Sequence, residues 1–332
     1  MGSKIALEEH FAIDATLGDS ERYASDASWE ALKTRLLDLD GRRLAEMDRC
    51  GIGVAVLSLN APGIQAIWDV ARAVDTAREA NDYLADAARA RPDRYAGFAA
   101  LPMQSPDAAV EELVRAVSVL GFKGALINGY SQVGRPDSVV YYDDLAYEPF
   151  WAAVERLDVP VYLHPREPLP HREPIYDGHP WLTGPVWAFG VETATHALRL
   201  MASGLFDRHP RLTIVLGHLG EGLPYSIWRC DHRIAKLPRG IPARRSFTEY
   251  LRANFFLTTS GQFWTPTLQA AIAEVGIDRV MFSVDYPFED THDAASWFDG
   301  VPLADADRAK IGWENAIRLL RLQDCRIAEL QN

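Results

Sequence analysis

KIALEEHFAI, residues 4–13, begins as a short strand-like run, Lys4–Leu7, and passes directly into Glu8, Glu9 and His10. Seven more runs repeat its first half: Val54–Leu59, Tyr95–Leu101, Phe122–Ile127, Val159–Leu163, Leu212–Leu216, Phe255–Thr259 and Arg279–Val284. They are β-branched or aromatic-rich, too short for helices, and mostly apolar on both faces, as buried parallel strands are. Their starts lie 24 to 53 residues apart, so every gap can hold the dozen or more residues of a parallel crossover. Two gaps read clearly as helices. One has Ser105-Pro106 as N-cap and first turn, the stripe Val110, Leu113, Val114, Val117, and Gly121 as its stop. The other repeats apolar residues from Glu192 to Phe206 at Ala194, Ala197, Leu198, Met201, Ala202 and Leu205. Eight strands alternating with helices predict an α/β fold, a TIM or (β/α)8 barrel, as one domain over residues 1–332. A doubly wound open sheet is the alternative, since a strand count does not show closure. Pro165–Gly190, with six prolines, is the one long irregular stretch and reads as a lid or as plain surface loop.

Composition narrows the function classes. With 34 Lys and Arg against 46 Asp and Glu the formal net charge is −12, which disfavours nucleic acid and anionic membranes as partners. No apolar run approaches the ~18 residues of a membrane span. The opening MGSKIALEEH lacks a signal-peptide core, and Ala6 stands where a myristoylation signal needs Ser or Thr. Cys50, Cys230 and Cys325 form no CxxC pair, so a reduced, cytoplasmic setting is expected.

The chemistry sits after the strands. In order, their ends carry Glu8-Glu9-His10, Asn60, Pro102, Asn128, His164, His218, Ser260 and Asp285. Barrel enzymes build their sites at this C-terminal rim. Glu8 and His10, two apart on an extended segment, leave the same face and can chelate one divalent ion. His164 and Asp285 complete a set of two nitrogens and two oxygens that suits Zn²⁺ or Mn²⁺. Each residue also has a plainer reading: a helix cap for His218, a core histidine for His164, a turn former for Asp285. The rim position of all of them favours the site. His171, His179, His196, His209 and His292 read as structural.

These residues carry a family resemblance. KIALEEHFAI, LSLNAPGIQ, NDYLADAARARPDR, GFKGALING, VYLHPREPLP, YDGHPWLTGP, LFDRHPRLTIVLGHLGE, TTSG and FSVDYPFE together resemble the metal-dependent, non-oxidative hydroxybenzoate decarboxylases of the amidohydrolase superfamily. The resemblance implies a distorted barrel holding one divalent ion, in a homotetramer. It implies Glu8, His10, His164 and Asp285 as metal ligands, with Asp285 also the proton donor beside His218 and Glu221. Tyr23, Asn128, Phe189, Arg229 and Phe288 fall where such enzymes hold the aromatic ring, Tyr23 in place of the family's Phe. The E-x-H opening, rather than H-x-H or a motif without the His, tilts the implied substrate to 2,6-dihydroxybenzoate over salicylate or 2,3-dihydroxybenzoate.

Charge gives the mechanism a shape. Losing CO₂ from an aryl carboxylate leaves an aryl carbanion unless C1 is protonated first, so the site needs an acid above C1 and a cation beside the oxygens. A unit charge at 4 Å is worth about 4 kcal/mol at an effective dielectric constant of ~20, which keeps Asp285 ionised until a dianionic substrate arrives. The ortho phenol then passes its proton, directly or through His218, to Asp285, which delivers it to C1. Glu221, three residues after His218 at a helix start, fixes the imidazole tautomer. Arg229 reads either as a counter-charge or hydroxyl-positioning group for substrate, or as a structural salt bridge to Asp231 or a neighbour. A one-ion hydrolase of amides, esters or lactones and a non-catalytic binding protein are the competing classes. The fourth strand ends in Asn128 rather than in a bridging carboxylate, which argues for a single ion.

Overall fold

The structure is a computed structural model and describes residues 4–169 and 174–322. His171 and Cys325 lie outside the described residues. All eight expected strands are present: β1 Lys4–Phe11, β2 Ile52–Leu59, β3 Tyr95–Gly97, β4 Ala125–Asn128, β5 Val161–His164, β6 Ile214–Leu216, β7 Phe255–Thr258 and β8 Val280–Met281. They pair in parallel in chain order, as one group β1-β2-β3 and a second running from β4 to β8. Backbone bonds join the two groups at both seams. Ala99 N donates to Gly124 O (2.9 Å) and Leu126 N to Ala99 O (3.0 Å); across the other seam Asp285 N donates to Glu8 O (3.0 Å) and His10 N to Tyr286 O (2.6 Å). The sheet therefore closes into a distorted (β/α)8 barrel, and the open-sheet alternative falls.

Strands three to eight are shorter than the apolar runs that announced them. Gly124 explains the fourth: its φ is +151° and a Cβ there would lie 2.3 Å from Pro160 O, so the chain bends and pairing resumes only at Ala125. The helix after Ser105 spans Pro106–Ser118, with the Ser105 hydroxyl accepting from Ala108 N. The expected Glu192–Phe206 helix instead runs Ala188–Ala202, and Gly204 at φ +72° separates it from the short turn Leu205–Arg208.

The pleat sorts the core into two layers. Ile5, Leu7, Val54, Val56, Phe98, Leu126, Val215 and Met281 fill the barrel, closed below by Ala316 and Leu320. Outward-facing strand residues pack on helices such as Val70–Ala90, whose Ala73, Ala77, Ala80 and Leu84 are fully buried. In β1 the pairing with β2 slips between Ala6 and Glu9. The slip matters: it allows Leu7 to fill the barrel while its neighbour Glu8 also reaches the inside, which strict alternation forbids. Among the described residues no helix is long and apolar enough to cross a membrane.

His196 corrects the reading of its helix. It lies inside the buried face rather than off the stripe, between Tyr141 (4.9 Å between ring centroids) and Tyr142 (5.1 Å). Ala194 and Leu198 are half-buried instead, and line a cavity described below. Burial depresses the His196 pKa to about 3, from an ordinary value near 6.5. Between these values the unfolded chain binds a proton that the folded chain does not, so stability falls as the pH drops. The slope reaches at most about 1.4 kcal/mol per pH unit for this one group. Urea unfolding from pH 7 to 4 is expected to lose this component of the acid slope in His196→Phe.

Candidate active site

Glu8, His10 and His164 are buried and Asp285 nearly so, and one donor atom from each lies within 4.8 Å of the others. His10 Nε2 is 3.2 Å from Asp285 Oδ1, and His164 Nε2 is 3.1 Å from Glu8 Oε1. Neighbouring groups aim these donors. His164 Nδ1 lies 2.9 Å from Pro165 O, and His10 Nδ1 lies 3.3 Å from Ser58 Oγ, so both rings are free to offer Nε2 inward. Glu8 Oε2 accepts hydrogen bonds from Tyr162 and Ser260, leaving Oε1 for the centre. Gly217 leaves room for that carboxylate, since a Cβ there would lie 2.6 Å from Oε2.

Glu8 Oε1, His10 Nε2 and Asp285 Oδ1 are buried without a hydrogen-bond partner. Three converging acceptors of this kind are untenable in a dry interior unless something positive sits among them. Two imidazoles and two carboxylates fit a single divalent ion. Burial works to raise the Glu8 pKa, but the fields of His218 and His164 outweigh it and hold the carboxyl well below the usual range.

Beside this cluster stands a second one. His218 Nδ1 is 2.7 Å from Glu221 Oε1, and its Nε2 lies 3.7 Å from Asp285 Oδ2 and 3.9 Å from Glu8 Oε1. Burial opposes a charge on His218, yet Glu221, Glu8 and the contact with Asp285 raise its pKa well above the ordinary value. The pair is not made on a helix face, contrary to the sequence expectation. His218, Leu219, Gly220 and Glu221 all have φ between +50° and +88°, and the regular helix Leu223–Lys236 starts only after them. This left-handed turn brings the His218 ring to Asp285, itself at φ +81°, with Glu221 on the ring's other nitrogen. Non-glycine residues so placed are strained, and such strain concentrates at working sites.

Asp285, His218 and Glu221 line a cavity of about 610 Å³, together with Phe189, Leu198 and Gly261. Trp187 and Val186 from the long loop also line it, so the described part of that loop borders the site. Tyr23 packs edge-on against Phe189 (5.6 Å) and Phe288 (6.4 Å), and Phe288 against His10 (5.7 Å), forming one aromatic wall. Asn128 is buried beside His164 in the sheet, with Oδ1 unpaired. Arg229 is not brought to the site: it is exposed on its helix, where Ser226 and Cys230 take the cavity-facing positions. Among the described residues no ion pair of Arg229 is seen, and Asp231 accepts from Phe247 N and Thr248 N. His209 joins Glu148 and Glu155, while His179 and His292 are exposed away from the centre. Sequence reasoning assigned no role to Tyr162, Gly217 or Gly261. A glycine directly after the strand-end Ser260 was the available signal for Gly261.

An amidohydrolase family model matches residues 28–322. The chain belongs to the amidohydrolase family, in the branch that holds the γ-resorcylate decarboxylases. The γ-resorcylate decarboxylase of Rhizobium sp. is 58% identical over 324 residues, covering 97% of this chain and 99% of that protein. A crystal structure of 2,6-dihydroxybenzoate decarboxylase complexed with 2,6-dihydroxybenzoate superposes with a TM-score of 0.95 at 58% identity, covering 97% of this chain and 100% of that one. The dihydroxybenzoic acid decarboxylase of Polaromonas sp., solved with bound manganese and the inhibitor 2-nitroresorcinol, also gives 0.95, at 56% identity over 97% and 98% of the two chains.

Gly261 has φ +60°, and a Cβ there would lie 2.8 Å from His218 Cδ2 but 3.7 Å from Asp285 Oδ2. Gly261→Ala is therefore expected to displace the His218 ring and spare the four-donor cluster. The downfield proton resonance of the His218–Glu221 hydrogen bond should disappear, while Mn²⁺ uptake measured by atomic absorption persists.

Proposed function

We propose that this chain is a metal-dependent carboxy-lyase that converts 2,6-dihydroxybenzoate to resorcinol and CO₂ without an oxidant, and runs the reverse carboxylation. The observation that carries this reading is the placement of Asp285, whose Oδ1 joins the four-donor cluster while Oδ2 faces His218 Nε2 at 3.7 Å. The similarity to relatives solved with this substrate and with manganese supports the same reading.

Glu8, His10, His164 and Asp285 would hold one Mn²⁺ or Zn²⁺. When bound, the ion supplies positive charge against which the substrate carboxylate and its ortho oxygen are held. Tyr23, Phe189 and Phe288 give the ring an apolar wall to lie against, which suits a planar aromatic acid. Asn128 offers an unpaired amide oxygen to a ring hydroxyl. The ortho phenol gives up its proton to Asp285, directly or by way of His218 Nε2. Glu221 holds Nδ1 and so fixes which imidazole nitrogen faces Asp285. Asp285 then protonates C1, the bond from C1 to the carboxylate breaks, CO₂ leaves, and the electron pair of that bond restores the aromatic ring. Arg229 has no part in this scheme within one chain. A homotetramer is the assembly we assign; the exposed Tyr225, Trp228 and Trp187 give it apolar surface to bury, and light scattering measures its mass.

Incubating the Mn²⁺- or Zn²⁺-loaded protein with 2,6-dihydroxybenzoate should yield resorcinol and CO₂ in equal amounts, and resorcinol in high bicarbonate should yield the acid. Asp285→Asn should still bind substrate but release CO₂ at least about 10³-fold more slowly, in line with loss of a positioned acid. Substantial CO₂ release by a metal-loaded variant would remove Asp285 from the chemistry.

A further inference from the structure

Glu9 lies between two proposed metal ligands yet faces away from both. Its side chain is buried on the outer face of β1, against Arg43, Met47, Ile52, Ala55, Tyr286 and Thr291. Its Oε1 accepts from Val284 N (3.0 Å) and from Ser283 Oγ (3.1 Å). Ser283 Oγ in turn accepts from Leu7 N (3.1 Å) and Glu8 N (2.6 Å). These bonds cross the barrel seam beyond the end of β8 at Met281, where backbone pairing is reduced to the single Glu9–Tyr286 bridge and its two bonds, Asp285 N to Glu8 O and His10 N to Tyr286 O. The seam separates Glu8 and His10 on one side from Asp285 on the other. One residue beyond the Glu9 contact, Asp285 N reaches Glu8 O, and its φ of +81° has to be held by its surroundings.

We infer that Glu9 and Ser283 form a clasp that sets the distance between the E-x-H pair and Asp285, making Glu9 a positioning residue for the metal cluster. The inference rests on the proposed ligand set, but not on the identity of the substrate. A sheet ladder would fix this seam through backbone alone. Here one carboxylate and one hydroxyl add four bonds to the two backbone ones, so the spacing of the proposed ligands is set in part by two side chains outside the cluster. The requirement is for an acceptor at Oε1, which the amide of Gln also offers.

The test is Mn²⁺ affinity by chelator competition, beside kcat and KM, for Glu9→Gln, Glu9→Leu, Ser283→Ala and the Glu9→Leu/Ser283→Ala pair. Glu9→Gln should bind Mn²⁺ within about threefold of the wild type. Glu9→Leu and Ser283→Ala should each weaken it by roughly 10- to 100-fold, as loss of supporting bonds around a metal does. The pair should be no worse than Glu9→Leu by more than about threefold, because both members cut one clasp. Unchanged Mn²⁺ affinity in Glu9→Leu and Ser283→Ala overturns the inference, as does a Glu9→Gln variant as weak as Glu9→Leu. If Glu9→Leu does not fold, Glu9→Gln and Ser283→Ala decide by the same thresholds. Failure of the wild type to decarboxylate 2,6-dihydroxybenzoate would overturn the substrate reading and leave the Mn²⁺ series able to test the clasp.

Discussion

Lone pairs pointing at one another organise this barrel. Two carboxylates and two imidazoles direct Oε1, Nε2, Nε2 and Oδ1 to a common centre in a region from which water is largely excluded. Without a cation, that arrangement places like charges and orphaned acceptors at close range in a poor dielectric. The fold tolerates it because each of the four side chains is gripped on its far side: Glu8 by two hydroxyls, His164 by a carbonyl, His10 by Ser58, Asp285 by backbone bonds. The four-donor cluster is thus prepared by groups that lie outside it.

The neighbouring His218–Glu221 turn uses a different device. A helix start, which the spacing suggested, would have shared the two side chains along one face. The chain instead runs five residues through positive φ, from His218 to Gly222. Each such residue outside glycine costs on the order of 1 kcal/mol or more, so the turn is held by its packing and not by its own preference. Gly217, Gly261 and Ser260 surround it closely, which explains why small residues cluster there.

Much of this was legible in the sequence. Eight β-prone runs, their spacing, and the polar residue after each located the barrel and its working rim. What pattern reading missed has a common cause, which is that it depends on contacts across the barrel. The slip in β1 between Ala6 and Glu9 follows from how β2 pairs, not from alternation in KIALEEHF. The burial of His196 depends on two tyrosines about fifty residues earlier in the chain. Tyr162 looked like one more core aromatic, and only its reach to Glu8 sets it apart. Arg229 shows the limit of motif correspondence within one chain, since its helix leaves it exposed while Ser226 and Cys230 line the cavity.

The bond from Tyr162 and Ser260 to the outer oxygen of Glu8 carries a lesson for anyone wishing to re-engineer this scaffold. Because that oxygen is already spoken for, a neighbouring second cation finds no bridging donor from β1. Installing two-ion hydrolytic chemistry here would have to start by silencing those two hydroxyls, and not with the four inward-facing donors themselves.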